Sequence, residues 1–201
     1  MSTVHVAPLA IDEAAARTLF TEAHTAYRFT DQPVTDEQLH AIHELMKFAP
    51  TAMNSQPLRI VYLRDAAKDR LIPHLAEGNR PKTASAPVTA IMAFDTDFHH
   101  HLGRMNPQIA DPDGVFPDPE GRERFARTQA TLQAGYFILA ARAVGLDVGP
   151  MGGFDAAGVD AEFFSDNSWR SLIVINLGYV ASDGNFPRNP RHDVHEITLI
   201  H

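Results

Sequence analysis

Apolar side chains return every three or four residues in some stretches of this chain and run almost unbroken in others, and the two patterns separate predicted helices from predicted strands. Ile11, Ala15, Leu19 and Phe20 predict a first amphipathic helix over residues 11–23. A second starts at Thr35, where Thr35-Asp36-Glu37-Gln38 has the spacing of a capping box and Leu39, Ile42, Leu45 and Met46 form one stripe before Pro50. Residues 58–63 read as a strand, Asp65 as the cap of a short helix through Leu71, and 87–94 as a strand apolar enough to be buried on both faces. Arg122 to Val144 is the longest helical stretch, closed by Gly145 and apolar nearly all round in its second half, so it is expected at the centre of the fold and against a second subunit. Trp169 to Val180 supplies a further strand, and His195 to Ile200 a last, exchanged one.

Between Asp95 and Gly121 the periodicity dissolves among prolines, aspartates and glycines, which predicts a long irregular excursion acting as a lid. Strands and helices interleave without a regular βαβ repeat, so the fold class is α+β around a central mixed sheet. A length of 201 residues with 44% apolar content suits one domain over 1–201. The formal net charge of −8 argues against nucleic-acid and anionic-membrane partners. With no secretion signal and no run of about 20 apolar residues, a cytoplasmic protein is expected. The chain has no cysteine, which excludes disulfides, thiolate zinc sites and a cysteine nucleophile. Any redox chemistry must therefore come from a bound cofactor.

Five segments carry candidate chemistry. Ala49-Pro50-Thr51-Ala52-Met53-Asn54-Ser55-Gln56-Pro57 joins a helix to a strand through a rigid loop with free hydrogen-bonding groups. Asn79-Arg80-Pro81-Lys82 puts an amide and an ammonium three residues apart, on one face of a helical turn. Gly149-Pro150-Met151-Gly152-Gly153-Phe154 offers backbone that a ligand can approach closely. His24-Thr25-Ala26-Tyr27-Arg28-Phe29 precedes all three, and Arg188-Asn189-Pro190 follows them. In wording and order these stations resemble the nitroreductase family of FMN-dependent oxidoreductases, with a further similarity to its malonic semialdehyde reductase branch around residues 46–51 and 145–155. The match has gaps. Thr51 and Ala52 replace serines, Gly152 stands where an acidic residue is common, and Ala23, His24, Tyr27 and Phe186 occupy slots where cations are usual.

The resemblance implies a nitroreductase-like three-layer fold, with a mainly antiparallel mixed sheet flanked by helices, and a homodimer with two FMN sites at its interface. In that arrangement Pro50, Thr51, Ala52, Met53, Asn54 and Gln56 from one chain face Asn79, Lys82, Pro150, Met151, Gly152, Gly153 and Arg188 of the other. Lys82 would stabilise negative charge at the N1–C2 edge of the reduced ring, and the Gly153 N–H would face N5. His24, Thr25, Arg28, Arg188 and Arg191 are the candidates for the phosphate. NAD(P)H would reduce FMN and be replaced by the oxidant in a ping-pong cycle. The leading substrate is malonic semialdehyde or a similar small carbonyl acid, with Arg104 of the lid as its carboxylate partner. A broad nitroaromatic or quinone reductase and a flavin-binding protein without turnover are the alternatives. Neither the His40, His43 pair nor the His99-His100-His101 triplet has a third ligand at a defined spacing, so no metal is expected. No Rossmann, phosphate-loop or nucleophile-elbow motif is present.

Overall fold

The computed structural model describes residues 8–201. Asp12 caps α1 (Glu13–Ala16), its carboxylate accepting from the Ala15 N–H at 2.7 Å, and the chain continues into a π-type turn over Arg17–Thr21. The wider turn breaks the 3.6-residue phase, so the expected stripe does not form. Ala16 is buried, while Ile11 and Phe20 stay exposed. Helix α2 (Asp36–Met46) opens with the anticipated capping box, Gln38 N–H donating to Thr35 Oγ1 and Thr35 N–H to Gln38 Oε1. Leu39, Ile42 and Met46 are buried, but Leu45 lies off the core face. Strand β1 (Leu58–Leu63) leads into α3 (Asp65–Leu71), where Asp65 is the first helical residue rather than a cap. Helix α4 (Arg80–Ser85) precedes β2 (Val88–Asp95), every residue of which is buried.

The excursion after β2 is a chain of short turns. A 3-10 turn over Phe98–His101 runs into α5 (Leu102–Met105), and α6 (Pro112–Val115) follows. Phe98 anchors it, with Phe116 edge-on at 5.0 Å and Phe125 stacked at 5.5 Å. Helix α7 (Pro119–Ala143) starts ahead of the expected position because Asp118 caps it, accepting from the Glu120 and Gly121 N–H groups, and Pro119 fits its first turn. It ends as expected at Gly145, which takes φ of +83°. The sequence reading passed over β3 (Asp147–Met151) and α8 (Ala156–Phe163). After β4 (Trp169–Gly178), the segment expected as an exchanged strand is instead the short helix α9 (Val194–Ile197), capped by Asp193, with Leu199 and Ile200 exposed beyond it.

The sheet has the order β1-β2-β4-β3 and every strand pair is antiparallel. The mixed character is confined to an isolated parallel bridge between Thr25 and Val148. Alternation along the strands divides the core into two layers. Val88, Ala90, Met92, Phe94, Ile175 and Leu177 pack under α2 and α7, whereas Ile91, Ala93, Val174 and Met151 pack with Leu71, Val159 and Phe164 on the α3 and α8 side. Phe94, Phe98, Phe137 and Phe164 are fully buried, each worth about 1.5–3 kcal/mol of apolar transfer. A bulge opposite Met92 and Ala93 leaves Leu172 without a partner and sets it beside Ile173. Leu172, Ile173 and Ile175 with Ala134, Gly135 and Ile138 of α7 then line an apolar hollow of about 340 Å³. Among the described residues no helix is long and apolar enough to cross a membrane.

Asn176 ties the layers together. Its Oδ1 accepts from Thr89 Oγ1 at 2.8 Å and from Thr83 Oγ1 of α4 at 3.3 Å, with all three side chains fully buried. Asn176→Leu leaves both hydroxyls without this acceptor and is expected to cost about 2–4 kcal/mol, read as a lower urea midpoint at unchanged slope. A midpoint equal to wild type would remove Asn176 from this role.

Candidate functional site

Helix α4 and the end of β3 meet through one backbone carbonyl. Gly153 C=O accepts from the Ala76 N–H at 3.0 Å and from Asn79 Nδ2 at 2.9 Å. Asn79 Oδ1 in turn accepts from Lys82 Nζ at 3.2 Å. The amide and ammonium anticipated on one face are therefore joined to the glycine turn by hydrogen bonds. Lys82 Nζ also sits 4.3 Å from the centroid of the Tyr27 ring, and Tyr27 packs edge-on against Phe186 at 4.6 Å. A cation over an aromatic face is held without losing its charge. Gly152 and Gly153 both avoid the left-handed region, and an added Cβ at Gly152 would meet nothing within 4 Å. Pro150 and Met151 belong to β3 rather than to a turn, and the proline is tolerated because β3 is an edge strand.

Tyr27 leads from Lys82 into a cavity of about 180 Å³, which His24, Thr25, Phe186, Arg188 and Arg191 also line. Arg142, near the C-terminal end of α7, is a further cation in its wall that the sequence reading missed. Among the described residues no carboxylate lines this cavity. Arg142 is half-buried and donates to the Leu19 carbonyl at 2.9 Å. Burial pushes its guanidinium below the usual value; Asp147 opposes the shift and Arg188 adds to it. Arg188 Nη2 donates to the carbonyls of Thr21 and Ala23, both at 2.9 Å, which fixes the guanidinium against the segment that carries His24. Arg191 Nη1 binds the Asn189 and Pro190 carbonyls. Arg28 is engaged differently. It pairs with Asp183 at 2.7 Å and lies outside the cavity wall. Arg142 escaped notice because a lone arginine in an apolar helix carries no motif, although a charge there needs a partner once the helix is buried.

The loop over residues 50–56 is built separately. Gln129 and Gln133 of α7, both buried, accept from the Ala52 N–H at 2.8 Å and the Leu58 N–H at 3.0 Å. Between these pins Met53, Asn54 and Gln56 take positive φ of 58°, 54° and 43°. Such conformations persist in side-chain-bearing residues only where the surroundings hold them. Thr51 Oγ1 accepts from the Gln56 N–H at 3.3 Å, and Gln56 Nε2 donates to Asn54 Oδ1 at 2.8 Å. The excursion docks on this loop, with Asn54 Nδ2 donating to the Met105 carbonyl at 2.7 Å and Asn106 Nδ2 to the Met53 carbonyl at 3.2 Å. Arg104 is the residue before this contact, in α5. Gln56 and Met105 border a second cavity, of about 450 Å³, with Leu58, Ile60, Tyr62 and Trp169. Among the described residues no hydrogen bond, ion pair or shared cavity connects the 50–56 loop with Lys82, Gly153 or Arg188. Pro50 ends the segment after α2 without a contact to either cavity.

The histidine triplet acquires a neighbour that its spacing did not show. His99 is buried, and its Nε2 lies 3.3 Å from Asp113 Oδ1 of α6. Burial pushes the imidazole below its usual value, with Arg122 and His100 adding to the shift and Asp113 and Asp97 opposing it. Burial thus disfavours the charged form of the ring that faces this carboxylate.

The model of the nitroreductase family matches residues 21–179. A protein of Streptomyces coelicolor, named as a candidate NADH dehydrogenase/NAD(P)H nitroreductase, is 52% identical over 179 residues, covering 88% of this chain and 89% of its own. One of Leptothrix cholodnii with the same name is 52% identical over 186 residues, covering 92% and 94%. Among solved structures, a candidate nitroreductase from Bacillus subtilis superposes with a TM-score of 0.83 at 23% identity over 94% of this chain and 100% of its own. Another, from Exiguobacterium sibiricum and solved in complex with FMN, gives 0.80 at 17% identity over 98% and 100%. These two likenesses establish the fold.

The glycine pair separates cleanly by substitution. A Cβ at Gly153 would lie 3.0 Å from Asn79 Nδ2 and 3.3 Å from Ala76 Cβ, so the amide that holds Lys82 must shift. Gly153→Ala is expected to destabilise by about 1–3 kcal/mol in urea denaturation, with Gly152→Ala near neutral. Equal effects of the two substitutions would contradict this packing.

Proposed function

Because the chain belongs to the nitroreductase family, we propose that it is an FMN-dependent NAD(P)H oxidoreductase whose flavin phosphate is taken by the Arg142, Arg188 and Arg191 cavity. The observation that carries this reading is the continuity from Gly153 through Asn79 and Lys82 to Tyr27 and that cavity. The donor set suits the cofactor: several guanidiniums and a threonine without a carboxylate for a phosphate dianion, and one held ammonium with accessible glycine backbone for a flat ring. Bound FMN supplies the two-electron carrier that no side chain of a cysteine-free protein offers. Lys82, fixed by Asn79 and Tyr27, holds positive charge ready for the anion that reduction creates. Gly152 and Gly153 keep side chains away from the reacting edge. Thr25 and His24 stand at the phosphate end with Arg188, and Arg142 supplies a cation in place of those absent at Ala23, Tyr27 and Phe186.

Separation of the 50–56 loop from the Lys82 side supports a homodimer in which one chain's Thr51, Asn54 and Gln56 complete the partner's site. The apolar hollow between α7 and β4, with Leu132 and Tyr136 exposed nearby, supports the same reading. The purified protein is expected to be a yellow dimer carrying one FMN per chain, seen by light scattering with a visible spectrum. Its FMN affinity should fall with salt, as phosphate pairs do. Lys82→Ala should lower the flavin reduction potential and slow reduction by NAD(P)H on the order of 100-fold. An unchanged potential in the folded variant would take Lys82 out of the site. A yellow protein that NAD(P)H does not bleach would leave flavin binding without turnover.

For the oxidant we favour a short carbonyl acid such as malonic semialdehyde, reduced to 3-hydroxypropionate. Its support is the lid: α5 reaches the 50–56 loop through Met105 and brings Arg104 alongside, giving a carboxylate a cation near the loop. The apolar cavity beside Gln56 supports instead a broad nitroaromatic or quinone reductase, as do the names of the relatives. Steady-state kinetics separate the two. The carbonyl acid should show the higher kcat/KM, and Arg104→Ala should raise its KM about tenfold or more while sparing a neutral quinone. A tenfold preference for quinones, unaffected by Arg104→Ala, would establish the second reading.

A further inference from the structure

Three polar side chains of the excursion converge away from both cavities. His99, His100 and Asp113 each present a ligand atom within 4.8 Å of the others. We propose that these residues bind one divalent transition-metal ion, with zinc the best fit, and that the ion staples α6 to the 3-10 turn before α5.

The donor set comes first. Two imidazoles and a carboxylate are a borderline set suited to Zn²⁺ and poorly suited to Mg²⁺ or Ca²⁺, which take oxygen ligands throughout. The geometry agrees. His99 Nε2 and Asp113 Oδ1 are 3.3 Å apart. Two ligands at 2.0–2.1 Å on a tetrahedral ion stand roughly 3.3 Å apart. His99 and His100 have ring centroids 4.1 Å apart, so the two imidazoles share one side of the turn.

The site is also held in place. His99 is 3% exposed, so its ring is held by packing while its Nε2 faces Asp113. Phe98, fully buried and packed on Phe116 and Phe125, fixes the backbone from which His99 projects. Asp113 is set by the first turn of α6, where Asp111 Oδ1 accepts from the Gly114 N–H at 3.0 Å. Arg122, whose charge acts on His99, is directed elsewhere, its Nε to the Thr96 carbonyl and its Nη2 toward Asp97. His100 and Asp113 are exposed, so the ion can enter and the fourth position stays open to water. None of the three residues lines the cation-rich cavity or the one beside Gln56.

The mechanical consequence follows from the chain between the ligands. Residues 101–112 form a loop that the ion would close, which limits the states open to it and to α5 within it. Since α5 carries the Met105 contact to Asn54, metal binding would steady the lid against the 50–56 loop.

The test uses tag-free, full-length protein stripped with EDTA, desalted and titrated with ZnCl₂ by calorimetry. One zinc per chain is expected, with a rise in thermal midpoint. Asp113→Asn and His100→Gln, both surface changes, should each weaken binding about tenfold or more and abolish that rise. His101→Gln, in the same triplet but outside the cluster, should change neither. Cobalt substitution should give the visible bands of a low-coordinate Co²⁺ site in wild type and lose them in Asp113→Asn. Absence of stoichiometric zinc binding, or equal binding by wild type, Asp113→Asn and His100→Gln, would overturn the proposal and assign any retained zinc to scattered surface histidines.

Discussion

The flavin site proposed for this protein depends on keeping the six-residue helix α4 from rotating, because Lys82 lies on it. So short a helix cannot hold itself; its nucleation cost exceeds what its few internal hydrogen bonds return. Three outside contacts hold it instead. At its start Asn79 donates to the Gly153 carbonyl, in its middle Thr83 donates to buried Asn176, and at its end Lys68 Nζ donates to the Ala84 and Ala86 carbonyls. Lys68 is itself 9% exposed, and burial lowers its pKa below the lysine value. A lysine is well matched to the unpaired carbonyls at a helix end, so the cost of burying it is offset where it also fixes the helix. The direction of Lys82 is thus set by β3, β4 and α3 together, and a fault in any of them reaches the site.

The same economy of pins governs the 50–56 loop. Positive φ at Met53, Asn54 and Gln56 opposes the ordinary preference of residues bearing a Cβ, and glycine would have been the easier choice. Gln129 and Gln133 of α7, four residues apart and therefore one above the other on the helix, clamp both sides of the loop through backbone N–H groups. The long helix reads as apolar almost throughout its second half, yet these two buried amides within and just before it are what shape the loop. Their burial is tolerable because each is satisfied.

Much of this was legible in the order of the residues. The capping box at Thr35, the turn at Gly145, the buried run of β2 and the pairing of Asn79 with Lys82 follow from local rules, and each involves partners within four residues or a pattern along one element. The failures share a cause as well. Strand β3 contains Gly149 and Pro150, whose propensities hide a strand that only an edge position permits. Leu45 and Phe20 satisfy a helical spacing but sit off the core because tertiary packing decides which part of a stripe is used. His195 to Ile200 has strand-like residues but pairs with no strand among the described residues, and the capping box of Asp193 with Glu196 starts a helical turn there instead. The contacts of Arg142 and Asp113 were invisible for the most basic reason: they involve partners distant in sequence, Leu19 for the one and His99 for the other.

Charge shows how little a total says about a site. The chain carries −8 overall, yet this cavity is walled by three arginines and a histidine, with no carboxylate among the described residues. Like charges gathered this way repel, and the downward push on Arg142 from burial and from Arg188 records that tension. The arginines bear it by spending part of each guanidinium on backbone carbonyls, at Leu19 for Arg142, at Thr21 and Ala23 for Arg188, and at Asn189 and Pro190 for Arg191. Those bonds fix the forks in place, so an anion entering the cavity would meet preorganised donors and relieve the repulsion among them. The surplus of negative charge elsewhere on the surface leaves this cavity as a local exception, which favours a small anion that can enter it over a polyanion that would have to approach the whole face.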